Sequence, residues 1–406
     1  MSRILVWSPN YAPELTGIPP LVTDAADWLA ERGHEVEVVT AMPNYPERRI
    51  HAGYRDHVAV SERRREVRVH RSWLRVRPGE SFVDKIAYEL SFGLASLLPA
   101  GRRLRGADVV VCVVPSLVAA LLGSALVRAA RATGRAPRFV LWFQDLVLLA
   151  ASSVGAGARG QALLRAARPL ERAAAGGADA VVVCSSGFRQ YLADLGIEDG
   201  RIETIRNWVD TGWIKPVEGL RSTKAIRFLY AGNLGYTQGF ETLVEAAARS
   251  GPSVEIELVG GGNAAAHVRR LAAASPNVRV RPPVPRSELP ALLASADAHL
   301  VLQRAVSAGA NFPSKIASYL ASGRPIIASI ESNTPAAHVL RESGAALLVP
   351  PESPADLARA IRTLRDEPER REELGRRGRE FAVAHFARER ALPELERVLL
   401  GEERSA

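Results

Sequence analysis

The chain begins with a short apolar run, Arg3–Ser8 (RILVWS). From Ile18 to Glu31, Leu21, Ala25, Trp28 and Leu29 then recur on one helical face, and His34–Thr40 (HEVEVVT) is strand-like again. The alternation returns at 108–114 (DVVVCVV), 138–143 (RFVLWF) and 179–185 (DAVVVCS). Strands made almost wholly of Val, Leu and Ile, separated by helical segments, indicate a parallel sheet covered on both faces. Around Arg206–Asp210 (RNWVD) the pattern gives way to TGWIKPVEGLRSTKA, a polar stretch that reads as an interdomain linker.

A second series of strands follows at 226–232, 254–262, 277–280, 298–302, 324–330 and 345–350, with helical segments such as Gly239–Arg249 and Ser287–Ser295 between them. Arg371–Leu400 reads as closing helices rich in charge. The pattern therefore predicts an α/β chain of two doubly wound, Rossmann-like domains facing a central cleft, and 406 residues fit two cores better than one. The expected boundaries are 1–208, 209–380 and a closing helix, 381–406, packed back on the first domain. In such sheets a ligand sits beyond the C-terminal strand ends, where loops run into helices.

Composition narrows the class. Hydrophobic residues make up 47% and charged residues 24%, as in a soluble globular protein. The net charge is +9, and only 4 of the 53 basic residues are lysine. Such an arginine excess reflects either a biased genome or attraction to something acidic. No zinc-finger spacing or RNA-binding aromatic signature accompanies it, so nucleic acid is not expected as a partner. Cys112 and Cys184 lie in apolar runs and read as small buried residues, which suits a reducing cytoplasm. No leader is recognisable and no apolar run reaches the roughly 18 residues of a membrane span, so a cytoplasmic location is expected. The stretch 81–105 (SFVDKIAYELSFGLASLLPAGRRLR) admits two readings, a buried helix of the first domain or a peripheral contact with the inner face of a membrane.

The candidate chemistry is that of phosphate binding. Gly17 stands just before a helix, where a backbone without a side chain approaches an anion closely. Gly232-Asn233-Leu234-Gly235 and Gly260-Gly261-Gly262-Asn263 repeat the device after two later strands. Asn311-Phe312-Pro313-Ser314-Lys315 then introduces a helix: proline suits its first turn, serine can cap it, and the lysine offers an ammonium to a diphosphate. No cluster of His, Asp, Glu or Cys has metal-ligand spacing, so no metal or other cofactor is expected. Asp145, at the end of WFQDL, either orients or deprotonates an acceptor hydroxyl or caps the next helix. His34 reads as a turn residue, and His267, His299 and His338 have no evident partners.

Several segments together, in order along nearly the whole chain, carry a resemblance: RILVWSPNYAPELTGIPP, LAERGHEVEVVTAMPNYP, WFQDL, ADAVVVCSSGF through IRNWVD, YAGNLGYTQGFETLVEAA and NFPSKIASYLASGRPIIAS. The chain resembles family 4 of the retaining glycosyltransferases, of GT-B fold, and within it the colanic-acid and O-antigen sugar transferases. The resemblance implies a nucleotide-sugar donor held by the second domain and an acceptor, lipid-linked or a small molecule, held by the first. It implies metal-independent transfer with retention, in glycan or natural-product biosynthesis. Gly17, Gly232, Asn233, Gly260, Gly261, Asn311, Phe312, Pro313, Ser314 and Lys315 would bind the donor, and Asp145 would be catalytic. Two departures stand out. The family's paired glutamates fall at Ala310 and Ser318, and its basic residues in the first glycine loop fall near Asn233 and at Thr237 or Gln238. An epimerase on the same scaffold and a non-catalytic transferase partner are the other readings.

Overall fold

The computed structural model describes residues 1–15, 17–45, 48–77, 82–146, 168–217, 225–307 and 313–403. The chain divides into two compact units, Met1–Arg206 with Ala391–Ala406, and Asn207–Arg390. The division falls within the last helix, Arg388–Leu400.

The first unit is built on an eight-stranded sheet. Its strands are β1 (Arg3–Trp7), β2 (Glu35–Ala41), β3 (Ala59–Arg64), β4 (Val67–Ser72), β5 (Val109–Val114), β6 (Arg138–Phe143), β7 (Ala180–Val183) and β8 (Ile202–Thr204). Their order is β3-β4-β2-β1-β5-β6-β7-β8. Every neighbouring pair is parallel except β3–β4, an antiparallel edge hairpin that the apolar pattern did not predict. Its sequence, AVSERRREVRVHRS, is too charged to read as a strand. Ion pairs make it one: Arg64 donates to both oxygens of Asp27, at 2.6 and 2.7 Å, and Arg71 pairs with Glu62 at 2.6 Å. β5 shows why the parallel strands were legible, because all six of its residues are buried.

The first helix, Pro19–Glu31, buries Val22, Ala25, Ala26 and Leu29, while Leu21 and Trp28 lie at the edge of that stripe. The stretch beginning near Ser81 forms one long helix, Phe82–Leu104. Phe92, Ser96, Ala100 and Leu104 are its buried side, and the indole of Trp7 donates to the Ser96 hydroxyl at 2.9 Å. Helix Leu117–Ala132 packs beside it, Val118 and Leu122 filling the space left by Gly93. Helix Arg388–Leu400 buries Leu392, Leu395, Val398 and Leu399. Glu396 holds it, pairing with Arg32 at 2.6 Å and with His34 at 3.0 Å and accepting from the Trp28 indole at 3.2 Å.

The second unit contains six parallel strands: β9 (Ile226–Ala231), β10 (Val254–Val259), β11 (Val278–Arg281), β12 (Ala298–Leu302), β13 (Ile326–Ser329) and β14 (Ala346–Val349), in the order β11-β10-β9-β12-β13-β14. The strand order reverses at β9, the kind of position where doubly wound sheets take ligands. The stretch read as a linker is packed in its first part: Thr211 and Ile214 are buried, and Ile214 joins the core beside Leu229 and Ile316. Residues 218–224 of that stretch lie outside the described residues.

Candidate functional site

β9 and β10 end level, with Ala231 opposite Val259. The Gly232 N–H donates to the Val259 carbonyl at 2.9 Å, so the two glycine turns leave the sheet stacked on each other. Glycine is required at Gly260, because a Cβ there would overlap the Gly232 carbonyl oxygen. Gly262 has φ +145°, and a Cβ on it would run into the Asn233 amide and the Leu234 carbonyl. Hydrogen bonds fix the first turn further: Leu234 N–H donates to Gly261 at 2.8 Å, and the Tyr230 hydroxyl donates to the Asn233 carbonyl at 2.6 Å. These turns form a close-packed backbone layer over the strand ends.

Lys315 reaches this layer from the first residue of helix Lys315–Ala321. Its Nζ stands over the ring of Tyr230, 3.5 Å from the centroid, and a Cβ on Gly232 would sit 3.2 Å from it. Among the described residues, no carboxylate forms a salt bridge with Lys315. Burial pushes its ammonium down from the ordinary 10.5 to about 7. The amine is therefore held against an aromatic ring beside the Gly232 turn. The helix that carries it is tied to β9 by Tyr319, whose hydroxyl accepts from the Ala231 N–H at 2.8 Å and donates to the Ala231 carbonyl at 3.0 Å. Ser314 occupies the N-cap position but does not cap: its backbone is helical (φ −57°, ψ −24°) and its hydroxyl makes no capping bond. An extended N-cap backbone is what aims a serine oxygen at the first turn, and Ser314 lacks it. Pro313 precedes it, its carbonyl accepting from Ile316 N–H at 3.1 Å. Asn311 and Phe312, with Ala310, lie outside the described residues.

In the first unit, Gly17 has φ +81°, a left-handed conformation that favours glycine, two residues before the helix Pro19–Glu31. Nearby Glu14, buried, accepts from the N–H groups of Asn44 and Tyr45, both at 2.8 Å, and so clamps the loop after β1 to the loop after β2. Burial raises the Glu14 carboxyl above its usual range, against those hydrogen bonds. Glu89 on helix Phe82–Leu104 is pushed up to about 7 by burial, although it accepts from the Ser116 hydroxyl at 2.9 Å. Asp145 follows β6 and is pushed up to about 6, again by burial; the opposing influence is its hydrogen bond from the Leu146 N–H, at 2.9 Å. A carboxyl poised near 6 is suited to accept a proton at neutral pH. Sequence reasoning passed over Glu14 and Glu89, because isolated glutamates carry no signal until their burial is known.

Two family models match the chain, a glycosyl transferase 4-like domain over residues 16–208 and glycosyl transferases group 1 over 213–381. A relative in Escherichia coli (strain K12), named for glycosyl transfer in colanic acid biosynthesis (WcaI), is 31% identical over 381 residues, covering 89% of this chain and 91% of its own. The chain belongs to the GT-B glycosyltransferases of the colanic acid type. Solved structures share the fold at low identity. Sucrose-phosphate synthase from Thermosynechococcus elongatus matches at TM-score 0.76 with 19% identity over 98% of both chains. Anabaena HepE, solved with UDP-glucose, matches at 0.70 with 15% identity over 99% of this chain and 100% of its own. WaaG, a glycosyltransferase of lipopolysaccharide biosynthesis, matches at 0.69 with 14% identity over 98% and 100%.

Within this glycosyltransferase, an arginine from elsewhere in the chain reaches the loop at the neutral position Thr237. The Arg304 N–H donates to the Thr237 carbonyl at 2.9 Å and its Nε to the Tyr236 carbonyl at 3.0 Å, while its guanidinium pairs with Glu241 at 2.6 Å. Ser318 is half-buried on the lysine-bearing helix. Three of the transferase's histidines have partners that the sequence did not disclose. His34 binds Glu396 and accepts from the Ser2 N–H at 3.2 Å, His267 bonds Glu241 at 2.9 Å, and His299 bonds Ser322 at 2.9 Å while stacking on Tyr319. His338 lies exposed on helix Pro335–Ser343. Cys112 and Cys184 are free and buried.

Proposed function

We propose that the second unit binds a nucleoside-diphosphate sugar, with its diphosphate between Lys315 and the backbone of the turns at Gly232–Asn233 and Gly260–Gly261. The observation that carries this reading is the Lys315 ammonium, seated over the Tyr230 ring beside the Gly232 turn. A desolvated cation without a described carboxylate partner gains most when an anion arrives. That HepE was solved with UDP-glucose supports a nucleotide-sugar donor. The proposed reaction is transfer with retention and without a metal. The donor C1–O bond breaks, the diphosphate leaves with the electron pair, and the acceptor oxygen bonds to C1 on the same face. The departing charge falls on Lys315 and the backbone N–H groups. Asp145 orients the acceptor hydroxyl and takes its proton. With Ser318 in place of a family glutamate, and Ala310 at the other position, the donor's sugar hydroxyls lose two carboxylate acceptors, which favours a donor other than the family's usual ones. The acceptor is a lipid-linked or small-molecule glycan intermediate.

A thermal-shift and hydrolysis screen against UDP-, GDP-, ADP- and dTDP-sugars tests the reading. One nucleotide should stabilise the protein and be released slowly from its sugar, and Lys315→Ala should abolish both effects. Unchanged stabilisation in Lys315→Ala would remove the lysine from the site.

A further inference from the structure

The solvent side of helix Phe82–Leu104 carries a run of exposed apolar side chains. Val83, Ile86, Leu90, Leu94 and Leu98 recur three or four residues apart, and their exposures range from 41% at Ile86 to 73% at Val83. An ordinary surface helix carries charge there. This one carries no charged residue between Glu89 and Arg102, a stretch that spans three of its five exposed apolar side chains. At about 1.5 Å per residue the stripe runs roughly 22 Å along the helix.

Its surroundings are basic and aromatic. Arg102 and Arg105 are exposed at its C-terminal end. Alongside, the Arg75 N–H donates to the Ser91 hydroxyl at 2.8 Å, which lays the preceding strand exit against the helix next to Leu90. That segment exposes Trp73, at 41%, together with Arg75 and Arg77. Exposed leucines, a half-exposed tryptophan and flanking arginines are the combination that lies in an anionic lipid interface: the apolar side chains enter the acyl boundary, the indole sits at headgroup level and the guanidiniums meet phosphate. The net charge of +9 acts in the same direction. No helix among the described residues is long and apolar enough to cross a membrane, so the geometry suits lying on a bilayer rather than spanning one. A second copy is a poorer occupant. A stripe about 22 Å long and one helix wide, roughly 10 Å, covers far less than the roughly 800 Å² per partner of a stable dimer.

We propose that the face formed by Leu90, Leu94 and Leu98 with Trp73, Arg75 and Arg102 docks the protein on an anionic phospholipid surface. Docking does not depend on the sugar chemistry, and its test contains no sugar donor. The full chain is sedimented with vesicles of phosphatidylcholine alone and of phosphatidylcholine with an equal part of phosphatidylglycerol. Binding should require the anionic lipid and weaken with salt. The Leu94→Glu/Leu98→Glu variant should bind at least about ten-fold more weakly with an unchanged melting curve, because both side chains are exposed. Arg102→Ala/Arg105→Ala should lose roughly five-fold per arginine. Three results would overturn the proposal: wild-type protein left in the supernatant at low salt, Leu94→Glu/Leu98→Glu binding as wild type, or that variant converting a dimer into a monomer on gel filtration. The last would assign the face to a second copy.

Discussion

The hydroxyl of Tyr319 exchanges two hydrogen bonds with a single residue, accepting from the N–H of Ala231 at 2.8 Å and donating to its carbonyl at 3.0 Å. It thereby closes the end of β9 as another strand would, and it fixes the helix whose first residue is Lys315 to the start of the Gly232 turn. Tyr319→Phe keeps the ring and its stack on His299 but strands both backbone groups. The expected loss is about 2–4 kcal/mol, seen as a melting transition lowered by roughly 5–10 °C. Nucleotide affinity should fall with it, because the lysine and the turn lose their common anchor.

Lys315→Met should separate stability from binding. With its ammonium at about 7 in the folded chain against 10.5 unfolded, the unfolded state holds more protons across that interval. Lys315 therefore makes stability rise with pH from about 7 to 10.5, and the methionine variant should flatten that rise and melt higher near neutrality. Its nucleotide affinity should drop about ten- to a hundred-fold, the worth of a charge-assisted hydrogen bond. In the wild type, donor binding should take up a proton above pH 7, measurable by calorimetry in buffers of different ionisation enthalpy.

For Asp145 the sign is opposite. Its folded value of about 6 lies above the ordinary 3.8, so its contribution to stability is complete below about pH 4 and lost as pH rises through 6. Asp145→Asn should melt higher than wild type at neutral pH and equally near pH 4. Turnover should fall about 10²–10⁴-fold with unchanged nucleotide binding, and wild-type turnover should rise through pH 6.

Gly260→Ala should prevent the second unit from folding, since the added methyl meets the Gly232 carbonyl oxygen, which cannot rotate away as a side chain would. A cost of roughly 4 kcal/mol or more is expected, measurable as loss of soluble protein or of protease resistance in residues 207–390. Gly261→Ala makes a useful control, because its added methyl would meet only Pro283 side-chain atoms at ordinary contact distance, 3.5 Å.

Much of this architecture was legible in the chain because parallel strands buried on both faces leave near-unbroken Val and Ile runs, as β5 and β7 do. The glycine turns were legible because only glycine tolerates such contacts. The β3–β4 hairpin was hidden, since a strand held by Arg64, Arg71 and Glu62 looks like a solvated loop. So were Tyr230 and Tyr319, aromatic residues that any core would accept; what distinguishes them is a lysine 85 positions from one and a backbone amide 88 positions from the other. Ser314 misled because its residue type suits a cap while its backbone does not.

Helix Arg388–Leu400 adds Leu392, Leu395 and Val398 to a unit whose other residues end at Arg206, and Glu396 finds His34 across 362 positions. During synthesis the second unit has all its residues before the first one does. Until Glu396 has emerged from the ribosome, Trp28, Arg32 and His34 wait without their carboxylate, and the first unit must persist as an incomplete body. Maturation of this enzyme is thus timed by its last helix, with the first unit sealed only after the second is whole.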